Sequence, residues 1–438
     1  MNLVSMSFLS EFERYWLQNA RVPISILCVD NQEIAGRQTR ENLSLVDIEV
    51  VDGLVNRIVP ALNVQYPAPC FDLGGGVVWP CFVDMHTHLD KAHIWERSPN
   101  PDGTFAGALE AAKTDGQKYW EAEDVYRRME FGLKCSYAHG TKAIRTHIDS
   151  FGEQGEISWK VFKALQAEWK DRLILQAVSL VSLDYYQTPE GVTLANRTAE
   201  VGGILGGVAY MHPELDSQLD AVFSLAKERD LDLDFHTDEN GKPDSICLQR
   251  IIAAAIRHQF TGKIICGHCC SLAVQTPEIV EKTLDMIKQL GIGIVSLPMC
   301  NLYLQDRQAN RTPRWRGVTI LHELKQQGIP VAVASDNCRD PFYSFGDHDV
   351  LEVFTQAVRI AHLDMPYSDW PCTVTKTPAD LINLPNVGRL GVGLPADLIL
   401  FKGRNFSELL SRPQHDRIVL RNGKSIDTTL PDYSELDE

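Results

Sequence analysis

From about residue 77 onward, short apolar runs alternate with amphipathic stretches, and this alternation restricts the fold more than any other feature of the chain. The runs are Val77–Val83, Ala143–Ile148, Leu173–Leu183, Ile204–Ala209, Leu231–Phe235, Lys263–Cys266, Gly291–Leu297 and Pro330–Ala334. Between them lie helix-like segments: Glu121–Ala138, Trp159–Trp169, Ser217–Arg229, Ser245–His258, Pro277–Leu290 and Thr319–Gln327. His139-Gly140 supplies a helix stop for the first of these. Strands alternating with helices predict a parallel sheet of the α/β class. Eight of them predict a closed (β/α)8 TIM-like barrel rather than an open sheet.

The two ends of the chain read differently. Short β-like runs separated by turn residues occupy Ile24–Val29, Leu45–Val51 and Arg57–Val59, and again Asp397–Phe401, Arg417–Leu420 and Gly423–Ile426. They predict a small β-sandwich assembled from both termini, with the barrel inserted between its halves. The expected boundaries are 1–78, 79–387 and 388–438. The first twenty or so residues are expected to be helical, and the acidic tail Asp432–Glu438 to fray.

Composition narrows the function. The 438 residues suffice for one large domain with a satellite. A formal charge of -16, spread along the chain, disfavours a nucleic-acid backbone or an anionic membrane as partner. Single nucleobases carry no phosphate and stay open. No apolar stretch reaches the ~18 residues that span a bilayer. Met1–Trp16 has no basic leading region, and Glu11 and Glu13 interrupt it, so no signal peptide is expected. Eleven irregularly spaced cysteines suggest reduced thiols in the cytoplasm. Cys266-Gly267-His268-Cys269 has the form of a redox pair, but it continues the apolar run Ile264-Ile265 instead of opening a helix. Buried strand-end thiols are the expected reading.

The chemistry gathers at strand ends. His86 and His88 directly follow the first run, and residues two apart on a strand share a face. They can aim two imidazoles at one point, the first half of a metal site. His147, His236, His268 and Asp336 also fall at the C-terminal ends of predicted strands, where such barrels carry their active sites. A catalytic mononuclear centre needs three or four N/O ligands and one open position for water. His86, His88, His236 and Asp336 supply that set, and a bound metal makes hydroxide available near neutral pH. Glu239, three residues after His236, is placed to shuttle a proton. His268 can donate to the oxygen of a tetrahedral adduct. Taken singly, Asp336 could be a turn residue, and His236 or His268 a structural core histidine. Lys91, Trp95, Phe105, Ser182, Asn337 and Asp340 are candidates for lining the pocket, with ordinary packing as the competing role.

With these residues in view, the chain resembles the amidohydrolase superfamily, and within it the bacterial cytosine deaminase family. The similarity covers nearly the whole length. It runs through His86-Thr87-His88-Leu89-Asp90, Arg145-Thr146-His147-Ile148-Asp149, His236-Thr237-Asp238-Glu239, Gly267-His268, Asn301-Leu302-Tyr303-Leu304-Gln305, Arg316-Gly317-Val318-Thr319, Ser335-Asp336-Asn337, Asp340-Pro341 and Gly393-Leu394-Pro395-Ala396-Asp397-Leu398. The resemblance implies one Fe²⁺ or Zn²⁺ held by His86, His88, His236 and Asp336. It makes Glu239 the group that protonates the ring nitrogen beside the attacked carbon, and His268 the one that orients the attacking water. Relatives are often homo-oligomers. Many hold two metals bridged by a lysine or glutamate near strand 3 or 4, but Leu173–Leu183 and Ile204–Met211 contain neither, which implies one metal.

Departures fall where substrate is read. Ser182 stands where cytosine deaminases carry a pyrimidine-reading glutamine, and Gln187 is only a loose substitute. Asn337 stands where they carry a second aspartate. His88-Leu89-Asp90-Lys91 and Ser335-Asp336-Asn337 look more like the s-triazine aminohydrolase branch. The expected function is metal-dependent hydrolytic deamination of a small nitrogen heterocycle, cytosine to uracil plus ammonia, by hydroxide attack with Glu239 moving the proton. Isocytosine, an s-triazine N-alkylamino group or a cyclic amide are the alternatives, and a non-catalytic scaffold is the remote one.

Overall fold

A computed structural model describes residues 11–28, 39–62 and 64–437. Eight parallel strands form the framework expected from the alternation. They are β1 (Phe82–Thr87), β2 (Thr141–Asp149), β3 (Ile174–Leu180), β4 (Leu205–Ala209), β5 (Leu233–Thr237), β6 (Ile264–His268), β7 (Gly293–Ser296) and β8 (Val331–Val333). β1 to β3 form one hydrogen-bonded sheet and β4 to β8 another. Isolated parallel bridges join them: Val178 to Ile204 and Ser182 to Val208 on one side, Thr87 to Asp336 on the other. The ring is a TIM-like (β/α)8 barrel whose ladders are continuous within each sheet and reduced to isolated bridges at the joins, two at one and one at the other. Burial of every residue of β1, β5, β6 and β7 explains their unbroken apolar runs, because such strands are covered on both faces.

The helices follow the sequence pattern within a few residues. They include α1 (Phe105–Tyr119), α2 (Ala122–His139), α3 (Gly152–Trp169), α4 (Pro189–Glu200), α5 (Leu215–Glu228), α6 (Cys247–Arg257) and α7 (Pro277–Leu290). Gly291, at φ 66°, ends α7 in a left-handed cap and accounts for its sharp stop. α4 was not expected, and neither was α1. Only Ala108, Ala112 and Asp115 of its fifteen residues are buried, so it shows no apolar stripe to read.

By packing, the chain divides into two compact units: Met1–Val83 with Lys134–Lys142 and Asp349–Leu430, and Asp84–Leu133 with Ala143–His348 and Pro431–Glu438. In the first, strands Leu54–Pro60, Leu43–Val51, Arg14–Pro23 and Cys70–Asp72 make one four-stranded sheet. Lys424–Ser425, Ile418–Arg421, Leu398–Leu400 and Val78–Pro80 make another. Both termini therefore build the small sandwich. The Tyr15 hydroxyl donates to Gly423 O at 2.5 Å between their segments.

Four expectations change. The helix expected over the first twenty residues is a strand from Arg14 onward, because it pairs with Leu43–Val51 and Cys70–Asp72 and stacks Trp16 on Tyr66 at 3.7 Å. Residues 1–10 of that helix lie outside the described residues, as do Val29 of the first β-run and most of the segment examined for a leader. The run Val77–Val83 divides: Val78–Pro80 pairs with Leu398–Leu400, and only from Phe82 does it become β1. Residues 349–387, expected with the barrel, pack with the terminal strands. There Arg417 grips Asp349 and the Trp79 and Phe354 rings meet at 5.3 Å. The acidic tail ends in a short helical turn, Tyr433–Leu436, whose capping box is built from Asp432 and Glu435. Among the described residues no helix is long and apolar enough to cross a membrane.

Candidate active site

β1 delivers His86 and β5 delivers His236 to one point, with their Nε2 atoms 3.2 Å apart. His88, just past β1, places its Nε2 3.2 Å from that of His236 and 3.1 Å from Asp336 Oδ1. Asp336 follows β8 and is fixed by its own main chain, whose N–H donates to His86 O at 2.8 Å. Next to it, Ser335 donates both its main-chain N–H and its hydroxyl to the Asp84 carboxylate, at 3.1 and 2.6 Å. The first and last strands thus hold each other in register at the site. Gly267 on β6 is required here, because a Cβ would lie 2.9 Å from the His86 ring.

All these groups are buried. Burial holds His86, His88 and His236 well below the ordinary imidazole range, so they are neutral and offer lone pairs. Burial, reinforced by Asp340, pushes Asp336 up to about 8. Asp336 Oδ1 has no hydrogen-bond donor although two imidazole nitrogens face it. Neutral imidazoles converging on a buried carboxyl oxygen that no donor satisfies form a site suited to a cation. His268 joins the cluster. Its ligand atom, with those of His86, His236 and Asp336, falls within a 4.8 Å group.

Glu239 follows β5, beyond the Asp238 side chain that caps the start of α6 at Cys247 N and Leu248 N. Burial and the nearby Asp336 carboxylate push Glu239 well above the usual carboxyl range. Asn301 was named only within a motif and given no role, yet it ties the site together. Its Nδ2 donates to Glu239 Oε1 at 3.1 Å and to His268 Nδ1 at 3.0 Å. His268 Nδ1 therefore accepts, and the ring proton sits on Nε2, which has no other partner. Burial lowers His268 to about 3, which keeps it a neutral donor. His147 ends β2 with its ring 3.9 Å from that of His86, packing behind it.

The groups open on a cavity of about 540 Å³. Of the expected lining residues, Lys91, Phe105, Ser182 and Asn337 face it. Trp95 does not. Its main chain turns away to donate to Arg339 O, and the side chain lies half-buried elsewhere. Asp340 also stays behind the wall, where it accepts from Asn337 Nδ2 at 2.7 Å and so holds Asn337 in place. Gln187 is spent on Ser217 at 3.2 Å, outside the cavity. Sequence reasoning missed most of the aromatic lining, Trp120, Phe151, Tyr210 and Phe342, and also Asp149, which accepts from Lys91 Nζ at 2.6 Å. The expected C-x-x-C reading holds: Cys266, Cys269 and Cys270 are buried free thiols.

Known proteins resemble this chain. The model of the amidohydrolase family matches residues 169–426. A pterin deaminase from Rhizobium rhizogenes strain K84 is 50% identical over 437 residues, 99% of either chain. The N-isopropylammelide isopropyl amidohydrolase of Pseudomonas sp. strain ADP is 25% identical over 405 residues, 88% of this chain and 94% of that protein. Among solved structures, 5-methylcytosine deaminase from Klebsiella pneumoniae liganded with 5-fluorocytosine superposes with a TM-score of 0.80 at 25% identity, covering 95% of this chain and 98% of the other. The chain belongs to the amidohydrolase family and is a hydrolase of C–N bonds.

Proposed function

We propose that this metal-dependent deaminase removes the 2-amino group of a pterin, converting a 2-amino-4-oxopteridine and water into the 2,4-dioxopteridine and ammonia. One observation carries the substrate: 50% identity to a pterin deaminase over 99% of both chains, twice the identity to the triazine relative. The cytosine expectation gives way to it. Ser182, in place of the pyrimidine-reading glutamine, faces a broad cavity walled by Phe105, Trp120, Phe151 and Phe342, surfaces suited to the flat face of a two-ring heterocycle.

His86, His88, His236 and Asp336 would hold one Zn²⁺ or Fe²⁺. His268 is left out of that set because its Nδ1 is taken by Asn301. The ion, when bound, supplies Lewis acidity that lowers the pKa of a water. The remaining steps belong to side chains. Glu239 takes the proton released as water adds to C2 and delivers it to the adjacent ring nitrogen, then carries the proton of the adduct hydroxyl to the departing amine as the oxo group forms. His268 donates from Nε2 to the oxygen of the tetrahedral adduct. Asn301 keeps both in register and fixes the His268 tautomer. Eleven free thiols support placing the protein in the reducing cytoplasm.

The test is ammonia release, with product mass, from pterin, cytosine and N-isopropylammelide after loading with Zn²⁺ or Fe²⁺. Turnover of pterin with little on the others is expected. Turnover of cytosine, or isopropylamine release from the triazine, without turnover of pterin would overturn the reading.

A further inference from the structure

Outside the catalytic cavity, three side chains with metal-ligating atoms meet in a second buried place. His93 lies in the turns after β1, Cys338 two residues past Asp336, and His348 just before the next helix. Their ligand atoms all lie within 4.8 Å of one another. His93 Nε2 and His348 Nε2 are 3.1 Å apart. Two nitrogens on one tetrahedral ion, at metal–nitrogen distances of about 2.0–2.1 Å, stand roughly 3.3 Å apart. The imidazole pairs of the catalytic cluster show nearly the same separation, 3.2 Å.

The surroundings are shaped for these rings. α2 carries Gly132 in its interior, a destabilising choice for a helix. A Cβ there would lie 2.9 Å from His348 Nε2 and 3.0 Å from Leu89. His93 and His348 both adopt left-handed backbone, at φ 63° and 54°, as their placement requires. Burial, with His348, Arg339 and Arg128 nearby, keeps His93 neutral, which is the form that ligates. A hydrogen bond between two imidazoles would account for the nitrogen pair alone and not for the sulfur beside it.

We propose that His93, Cys338 and His348 form a second metal site, separate from the catalytic one, which takes a thiophilic divalent ion of the Zn²⁺ type with one position left for water. Cys338 and His348 bracket the segment that carries Phe342 into the cavity wall, and His93 lies two residues from Lys91. The ion pins both ends of that segment and tethers them to the Lys91 turn. Its work is positioning: losing it raises KM more than it lowers kcat.

The test uses the full chain loaded with Zn²⁺ and, separately, with Co²⁺. Two equivalents per chain are expected, with a near-ultraviolet thiolate-to-cobalt charge-transfer band that a histidine–carboxylate site cannot give. Cys338→Ser should abolish the band and one equivalent. His86→Asn/His88→Asn should lose the other equivalent and keep the band. One equivalent without a band in folded wild type, or a band that survives Cys338→Ser, overturns the proposal. Neither readout needs turnover, so failure of the pterin assignment leaves this test intact.

Discussion

Lys91 Nζ lies 2.6 Å from Asp149 Oδ1 at the wall of the cavity, so the site offers a substrate a cation and a carboxylate side by side. A pterin presents a matching pair along its amide edge, the 4-oxo acceptor and the ring N–H. Lys91→Met should raise KM for pterin roughly 10- to 100-fold, the worth of one charge-assisted hydrogen bond, with a smaller change in kcat. Steady-state kinetics on metal-loaded protein measures both. An unchanged KM would place the substrate elsewhere.

Glu239→Gln keeps the shape of the site and its hydrogen bond from Asn301 but removes the titratable oxygen. We expect kcat to fall about 10²- to 10⁴-fold with metal content unchanged. Metal analysis beside kinetics separates a lost proton carrier from a lost ion. Equal falls in metal and rate would make Glu239 a ligand instead.

Asp84→Asn tests the support behind Asp336. The Asp84 carboxylate, pushed up to about 6 by burial, accepts two hydrogen bonds from Ser335, which precedes Asp336, the proposed ligand. An amide can accept only one of them. Outer-sphere changes of this kind cost about 10- to 100-fold in metal affinity. Chelator competition should show faster metal loss at little cost in folded fraction.

The sandwich unit carries a buried pair whose contribution depends on pH. Burial alone would raise Asp349, but the Arg417 guanidinium at 2.5 and 2.8 Å outweighs it and, with His139, holds the carboxyl below its usual value. A depressed folded pKa means the stabilisation is complete above the unfolded value of about 3.9 and is lost as pH falls through the lower folded value. Arg417→Met should cost about 3–5 kcal/mol near pH 7, because it leaves a buried charge unpaired. The gap in thermal midpoint between variant and wild type should be widest near pH 7, narrow as the unpaired carboxyl of the variant takes up a proton above its usual range, and narrow further below about pH 4 as the wild-type pair is lost. A gap independent of pH would assign the loss to packing of the arginine stem.

Much of this was legible because period and position carry it. The eight runs marked the barrel strands, and the convergence of His86, His88, His236 and Asp336 followed from where such strands end. What escaped depended on partners distant in sequence. Arg14–Pro23 reads as either element until Leu43–Val51 lies beside it. α1 hides because a helix burying three small or polar residues has no stripe. Asn301 acts on Glu239 and His268 across 62 and 33 residues, and no local pattern announces such a bridge. Trp95 was close in sequence to Lys91, but the turn between them sends it elsewhere. The aromatic wall comes from separate segments, each contributing one ring that by itself looks like packing.

The single bridge between Thr87 and Asp336 joins strands separated by almost the whole barrel sequence. At that seam the histidines of one end of the barrel first meet the aspartate of the other. A nascent or truncated chain that has made seven strands has the three imidazoles of the proposed ligand set but not its aspartate. Under the proposed ligand set, ion capture would report that the ring has shut. An ion held by that set would bind only the shut form, and would stabilise it by an amount that grows with the ion's concentration.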